Sequence, residues 1–128
     1  MMLERQQKWN NLQEMNEGLI KNWNSVVSKN DTVIHVGDFC FYDVEIISQL
    51  NGNIELHLGN HDHKSQVNKL LSKKYIHHAC NYSGRRFLGK NFHIQHWPCD
   101  NWPGKEDGTI LLHGHTHGTR KAHFNELD

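Results

Sequence analysis

Ile54-Glu55-Leu56-His57-Leu58-Gly59-Asn60-His61-Asp62 is the stretch on which the reading of this chain turns. Ile54, Leu56 and Leu58 alternate with Glu55 and His57, the period-two pattern of a strand with an apolar face. The strand runs directly into a glycine and then into three polar side chains able to bind a cation or move a proton. Working backwards, Thr32-Val33-Ile34-His35-Val36 is a second short, β-branched run that ends at Gly37-Asp38. Between them Val44 to Leu50 reads as a short helix, capped by Asp43 and stopped by Asn51-Gly52. Before them Leu12, Met15, Leu19, Trp23, Val26 and Val27 recur at three- and four-residue steps, the apolar face of a helix over roughly residues 4–28. Ser28-Lys29-Asn30-Asp31 breaks it. A polar helix over roughly residues 64–73, with Val67, Leu70 and Leu71 inward, follows Asp62. Helix, strand, helix, strand, helix is the alternation of a parallel α/β sheet.

The second half reads differently. Phe87-Leu88, a two-residue turn at Gly89-Lys90, and Phe92, Ile94 and His96 form a hairpin pattern in which the glycine supplies positive φ. A loop with Pro and Gly spans residues 98–108, and Thr109-Ile110-Leu111-Leu112 is a last buried strand ending at His113-Gly114-His115-Thr116-His117. Each chemically suggestive group therefore falls at the C-terminal end of a strand, where open α/β sheets bind ligands. No repeat, linker or low-complexity tract divides the chain, so residues 1–128 are read as one domain, within the usual size range of roughly 100–150 residues.

Four strand ends offer Asp, Asn or His beside a turn-forming residue: Gly37-Asp38, Gly59-Asn60-His61-Asp62, His96-Trp97-Pro98 and Gly114-His115-Thr116-His117. Imidazole nitrogens with carboxylate and amide oxygens suit a divalent transition metal (Mn, Fe, Zn or Ni) better than Ca. A carboxylate such as Asp38 can bridge two cations. Two metals roughly 3.5–4 Å apart would clamp a phosphoryl group and activate water for in-line attack. His61, one residue past Asn60, is placed to act as general acid, and Asp62 would fix its tautomer if it faces that ring.

Val36-Gly37-Asp38-Phe39, Gly59-Asn60-His61-Asp62, His96-Trp97-Pro98 and Gly114-His115-Thr116-His117 resemble, in order and relative spacing, the successive motifs of the calcineurin-like metallophosphoesterase family. With the preceding helix containing Met15-Asn16-Glu17, the pattern is similar to small single-domain members common in bacteria and their phages, and covers about residues 9–118. The resemblance implies an α/β fold, a sandwich of two mixed β-sheets flanked by helices. It implies a hydrolase of phosphate mono- or diesters acting through metal-activated water. Asp38 would be the bridging carboxylate; Asn60, His96 and His115 would complete one metal position, and His117 would belong to the other. His61 would be the acid or the phosphate-stabilising group, with Asp62 as its partner.

Family members open with a strand ending in Asp-x-His, which supplies two further ligands, and nothing between Met1 and Asp38 matches it. The chain also shortens soon after His117. Three explanations compete: a start upstream of Met1, a shortened relative binding one metal with weak or no activity, or a second chain that lends the missing strand by swapping. The rival to a phosphoesterase is accordingly a non-catalytic, single-metal or scaffold module.

Lys plus Arg and Asp plus Glu number 14 each, so no global charge attracts nucleic acid or an anionic membrane, and nucleic acid remains only as a substrate class. The three cysteines, Cys40, Cys80 and Cys99, lack a Cys-x-x-Cys pair, which points to a reducing compartment. With no apolar run of about 18 residues and no leader-like N-terminus, the expectation is a soluble, cytoplasmic protein. The 12 histidines are the compositional anomaly. His35, His57, His63, His77, His78, His93 and His123 are read as surface or packed residues, and His113 as structural or substrate-facing. Trp9, Trp97 and Trp102 are read as core or rim packing. Arg85 and Arg86 are read as solvated charges, with a phosphodiester contact as the minority alternative.

Overall fold

The computed structural model describes residues 11–39, 44–115 and 126–127. Helix α1 (Leu12–Val26) opens on Asn11, whose side chain accepts from the Glu14 N–H at 2.8 Å, satisfying one of the unpaired donors of the first turn. Its first turn begins at Leu12; the part of the expected helix before residue 11 lies outside the described residues. Asp31 closes the break after α1, accepting the Ser28 N–H on its carboxylate at 2.8 Å.

Three parallel strands follow in the order β1 (Thr32–His35), β2 (Asn53–His57), β3 (His78–Cys80). Between β1 and β2 the chain forms a 3₁₀ helix, Val44–Gln49, rather than an α-helix. The expected cap, Asp43, lies outside the described residues. Helix α2 (Lys64–Ser72) connects β2 to β3. The alternation in β2 does what its sequence implies: Ile54 and Leu56, both 0% exposed, join Phe39, Val44, Ile47, Val67, Leu70 and Ile76 in one cluster on the helical side. Each such side chain contributes about 1.5–3 kcal/mol by leaving water.

The second sheet runs β4 (Tyr82–Phe87), β5 (Lys90–Gln95), β6 (Ile110–Leu112), β7 (Glu126–Leu127). β4 and β5 pair antiparallel; β5–β6 and β6–β7 pair parallel. The fold is thus α/β with two sheets flanked by helices. Of the two expected mixed sheets, only the second is mixed among the described residues; the first is wholly parallel.

Two local expectations shift. The hairpin turns at Leu88-Gly89, not Gly89-Lys90: Lys90 pairs with Phe87, and Leu88 and Gly89 have φ 52° and 72°. Both turn residues need positive φ in such a hairpin, and the Phe87 ring stacks on Phe92 at 4.1 Å to hold this register. β3, which the sequence pattern does not announce, and β4, announced only at its Phe87 end by the hairpin, meet at Asn81 and carry the chain from one sheet to the other. β4 shows no apolar face because its inner positions take polar partners: Ser83 meets His57 Nε2 at 2.6 Å, and Arg85 pairs with Glu55 of β2. Arg85 is thereby ion-paired rather than a free solvated charge, and it holds the Glu55 carboxyl below its usual range. Among the described residues no helix is long and apolar enough to cross a membrane.

Candidate metal centre

The C-terminal ends of β1, β2, β5 and β6 bring four segments together. The first carries Gly37-Asp38 after β1, and the second Gly59-Asn60-His61-Asp62 after β2. Asp62 is the clasp between them. Its Oδ2 accepts the Asp38 and Gly59 N–H groups, and its Oδ1 the Phe39 N–H, all at 2.8 Å. Asp38 reciprocates, accepting the His61 N–H on Oδ1 at 3.0 Å. Charge-assisted bonds of this kind are about twice as strong as neutral ones. These three backbone bonds give Asp62 a task beyond the expected one of holding the His61 ring; the His61 residue is exposed.

Glycine makes the approach close enough. A Cβ on Gly59 would fall 2.4 Å from Asp38 Oδ1, and one on Gly37 (φ 105°) 2.4 Å from His96 Nδ1. Asp38 and His115 themselves sit in the left-handed region, at φ 55° and 72°. Such conformations cost about 1–3 kcal/mol and concentrate where a side chain must be aimed.

His96 is 2% exposed. Its Nδ1 lies 2.8 Å from the Val36 carbonyl oxygen, an acceptor, so Nδ1 carries a proton and donates it there. In the neutral ring Nε2 then presents a lone pair. That lone pair faces Asn60 Oδ1 at 3.0 Å, His115 Nδ1 at 3.3 Å and Asp38 Oδ2 at 3.5 Å. His115 Nδ1 is also 3.2 Å from Asn60 Oδ1. Electron-rich atoms aimed at one point repel unless a proton or a cation sits among them. An imidazole whose other nitrogen is anchored on a carbonyl is the usual arrangement of a metal-ligating histidine. One donor each from Asp38, His96 and His115 all lie within 4.8 Å of one another. The donor set therefore fits a divalent cation, with Asn60 as a fourth, neutral oxygen. Asp38, Asn60, His96 and His115 are brought together as the sequence suggested, with His61 beside them; His117 lies outside the described residues.

Two further histidines flank the site, His35 packed and His113 structural. Burial pushes the His35 imidazolium from 6.5 to about 4, against the opposing pull of Asp62 and then Asp38. Its ring packs on Phe39 at 4.6 Å, and its Nδ1 accepts the Gly37 N–H at 3.2 Å. With the folded value depressed, the unfolded chain binds the extra proton first as pH falls. His35 therefore withdraws stability between pH 6.5 and 4, by at most about 3 kcal/mol. Urea unfolding of the chelator-treated protein is expected to show this slope, and His35→Gln to flatten it; an unchanged slope in the variant would remove His35 as its source. His113, read as structural or substrate-facing, is fully buried as a structural group. Its Nδ1 donates to the Gly114 carbonyl at 3.0 Å, and its Nε2 lies 2.6 Å from Glu126 Oε1. Nothing in the sequence near Glu126 signals this pairing.

No family model matches the chain. The uncharacterized protein MJ1445 of Methanocaldococcus jannaschii is 32% identical over 85% of this chain and 57% of its own length. The gene 66 protein of Mycobacterium phage L5 is 28% identical over 83% of this chain and 66% of its own. The chain thus spans under two thirds of the curated relatives it matches. The crystal structure of AQ665 from Aquifex aeolicus, a protein of unknown function, superposes with a TM-score of 0.63 at 26% identity, covering 84% of this chain and 67% of that one. The arrangement of two sheets and flanking helices is therefore shared with a solved structure.

Proposed function

We propose that this chain is a metal-dependent hydrolase of phosphate mono- or diesters, of the calcineurin-like metallophosphoesterase type, its two sheets being that family's sandwich. The observation that carries the reading is the His96 ring, proton-anchored on Val36 and presenting its other nitrogen to three electron-rich atoms. Asp38, Asn60, His96 and His115 would hold the cation, and His117 a second one if two are bound. When bound, such a cation neutralises phosphoryl charge and acidifies water. The chain's own residues do the rest. Asp62 fixes both ligand loops through three backbone N–H groups, so the site is formed before substrate arrives. His61, exposed beside Asn60, donates its ring proton to the departing ester oxygen while water supplies the new P–O bond.

A second reading is favoured by one feature: the described donors share a single focus, which is what a one-metal, non-catalytic binding or scaffold module would need. The two readings separate on metal stoichiometry and turnover. The hydrolase is expected to cleave chromogenic phosphate mono- or diesters with Mn or Ni and to lose turnover in His61→Ala while still binding metal. About one metal per chain, metal-raised melting temperature and no turnover with any ester would leave the module.

A further inference from the structure

We infer that the exposed face of Trp97 is a stacking subsite for a flat aromatic group on the phosphate ester, as in a nucleotide. The inference rests on the phosphate-ester reading above and deepens it. Four tryptophans occur in the chain, and the described ones have different tasks. Trp102 is 7% exposed and donates its Nε1–H to the Thr109 carbonyl at 2.8 Å. Trp23 donates to the Asn51 carbonyl at 2.9 Å, tying α1 down. Trp97 is 46% exposed, yet it immediately follows the best-buried donor of the metal centre. Its ring lies 4.4 Å from the His115 ring and 5.2 Å, edge to face, from the His96 ring.

The backbone that carries the ring is also held in place. Gln95 Nε2 donates to the Trp97 carbonyl at 2.6 Å and to Cys99 Sγ at 3.3 Å, while Pro98 restricts the backbone that follows. Trp102, plugged into the core, and Lys105 over its ring at 4.8 Å anchor the far end of the loop. A phosphoryl group held at the donors would leave its organic substituent beside this indole. A rigid aromatic face there favours another flat ring over an aliphatic group, since base–aromatic stacking changes affinity by roughly tenfold. Trp97 is then a specificity residue whose contact is with the organic part of the substrate, not with the reacting atoms.

The test uses phenylphosphonate and methylphosphonate, neither of which has an ester bond to cleave, titrated calorimetrically into the Mn-loaded chain alongside inorganic phosphate. AMP and ribose 5-phosphate, followed by fast fluorescence quenching, form a second pair. The aromatic member of each pair is expected to bind roughly tenfold tighter. Trp97→Leu should bring each ratio near one, with inorganic phosphate binding unchanged, and Trp97→Phe should restore part of it. Equal affinities within the wild-type pairs overturn the subsite whether or not the variants fold, as does an undiminished preference in Trp97→Leu. Failure of inorganic phosphate itself to bind would instead sink the phosphate-site reading on which the subsite stands.

Discussion

Asp38→Asn and His96→Ala are expected to weaken divalent-metal binding by at least about 100-fold, with His115→Ala close behind. The lower bound follows from metal sites in which losing even a group that only hydrogen-bonds a ligand costs about 10- to 100-fold; here a direct donor goes. Asp38→Asn is the sharper variant. It keeps the shape of the side chain and an Oδ1 able to accept the His61 N–H at 3.0 Å, and removes only the charge. His96→Ala is the harsher, because it vacates a position 2% exposed and frees the Val36 carbonyl. Asn60→Ala should be mildest of the set, since Asn60 is an exposed, neutral donor. Two measurements settle the ranking. Calorimetric titration with Mn gives affinity directly. Melting with and without metal gives the linked stabilisation, about 2.7 kcal/mol for wild type at a hundred times its dissociation constant. A wild-type chain whose melting point ignores Mn, Zn, Ni and Fe alike would sink the cluster as a metal site.

How far this site could be foreseen depends on which residues speak through local pattern. Ile54 and Leu56 declare themselves by alternation, because one face of β2 meets the apolar core and burial rewards a period of two. Gly37, Gly59 and Gly114 mark where strands stop and ligands begin, and the structure gives the reason at the first two: a Cβ there would strike His96 or Asp38. Residues whose roles are set by distant partners stay silent. β4 is polar on both faces, and its inner face is recognisable only once Glu55 and His57 are known to lie opposite Arg85 and Ser83.

The position of Asp62 is legible in the sequence, but its three backbone partners are not. Adjacency in sequence suggested the His61 ring, whereas the turn from Gly59 to Asp62 points the carboxylate back at the backbone of the β1 loop. The hairpin shows the same limit on a smaller scale. Gly89 announced a positive φ, but which residue shared the turn depended on the Phe87–Phe92 stack across the strands. The two tryptophans of the 97–102 loop carry the point to function: spacing could not divide them, and depth of burial does.

Glu126→Ala is expected to destabilise the chain by about 3–5 kcal/mol, the usual cost of removing one partner from a buried, hydrogen-bonded pair. His113 and Glu126 side chains are both 0% exposed, with Nε2 and Oε1 sharing a proton at 2.6 Å. Truncating Glu126 removes the carboxylate that faces His113 Nε2 at a position where both side chains are buried. Glu126→Gln, which keeps an acceptor oxygen, should cost clearly less. The consequence reaches the metal centre through the backbone. β7 is fixed against β6 by the Glu126 and Leu127 pairings and by the His113 N–H on the Leu127 carbonyl at 3.0 Å. The next amide, Gly114, donates to the His96 carbonyl at 3.0 Å, and the residue after it is His115, aimed by a left-handed turn. Loosening β7 therefore releases the strand end that aims one ligand and braces another. Metal affinity should fall about tenfold or more in Glu126→Ala under conditions where it is still folded. Urea unfolding and Mn titration of the same samples read the two effects separately, and a variant within about 0.5 kcal/mol of wild type, the ordinary range of a surface change, would show that the pair does not hold this end of the sheet.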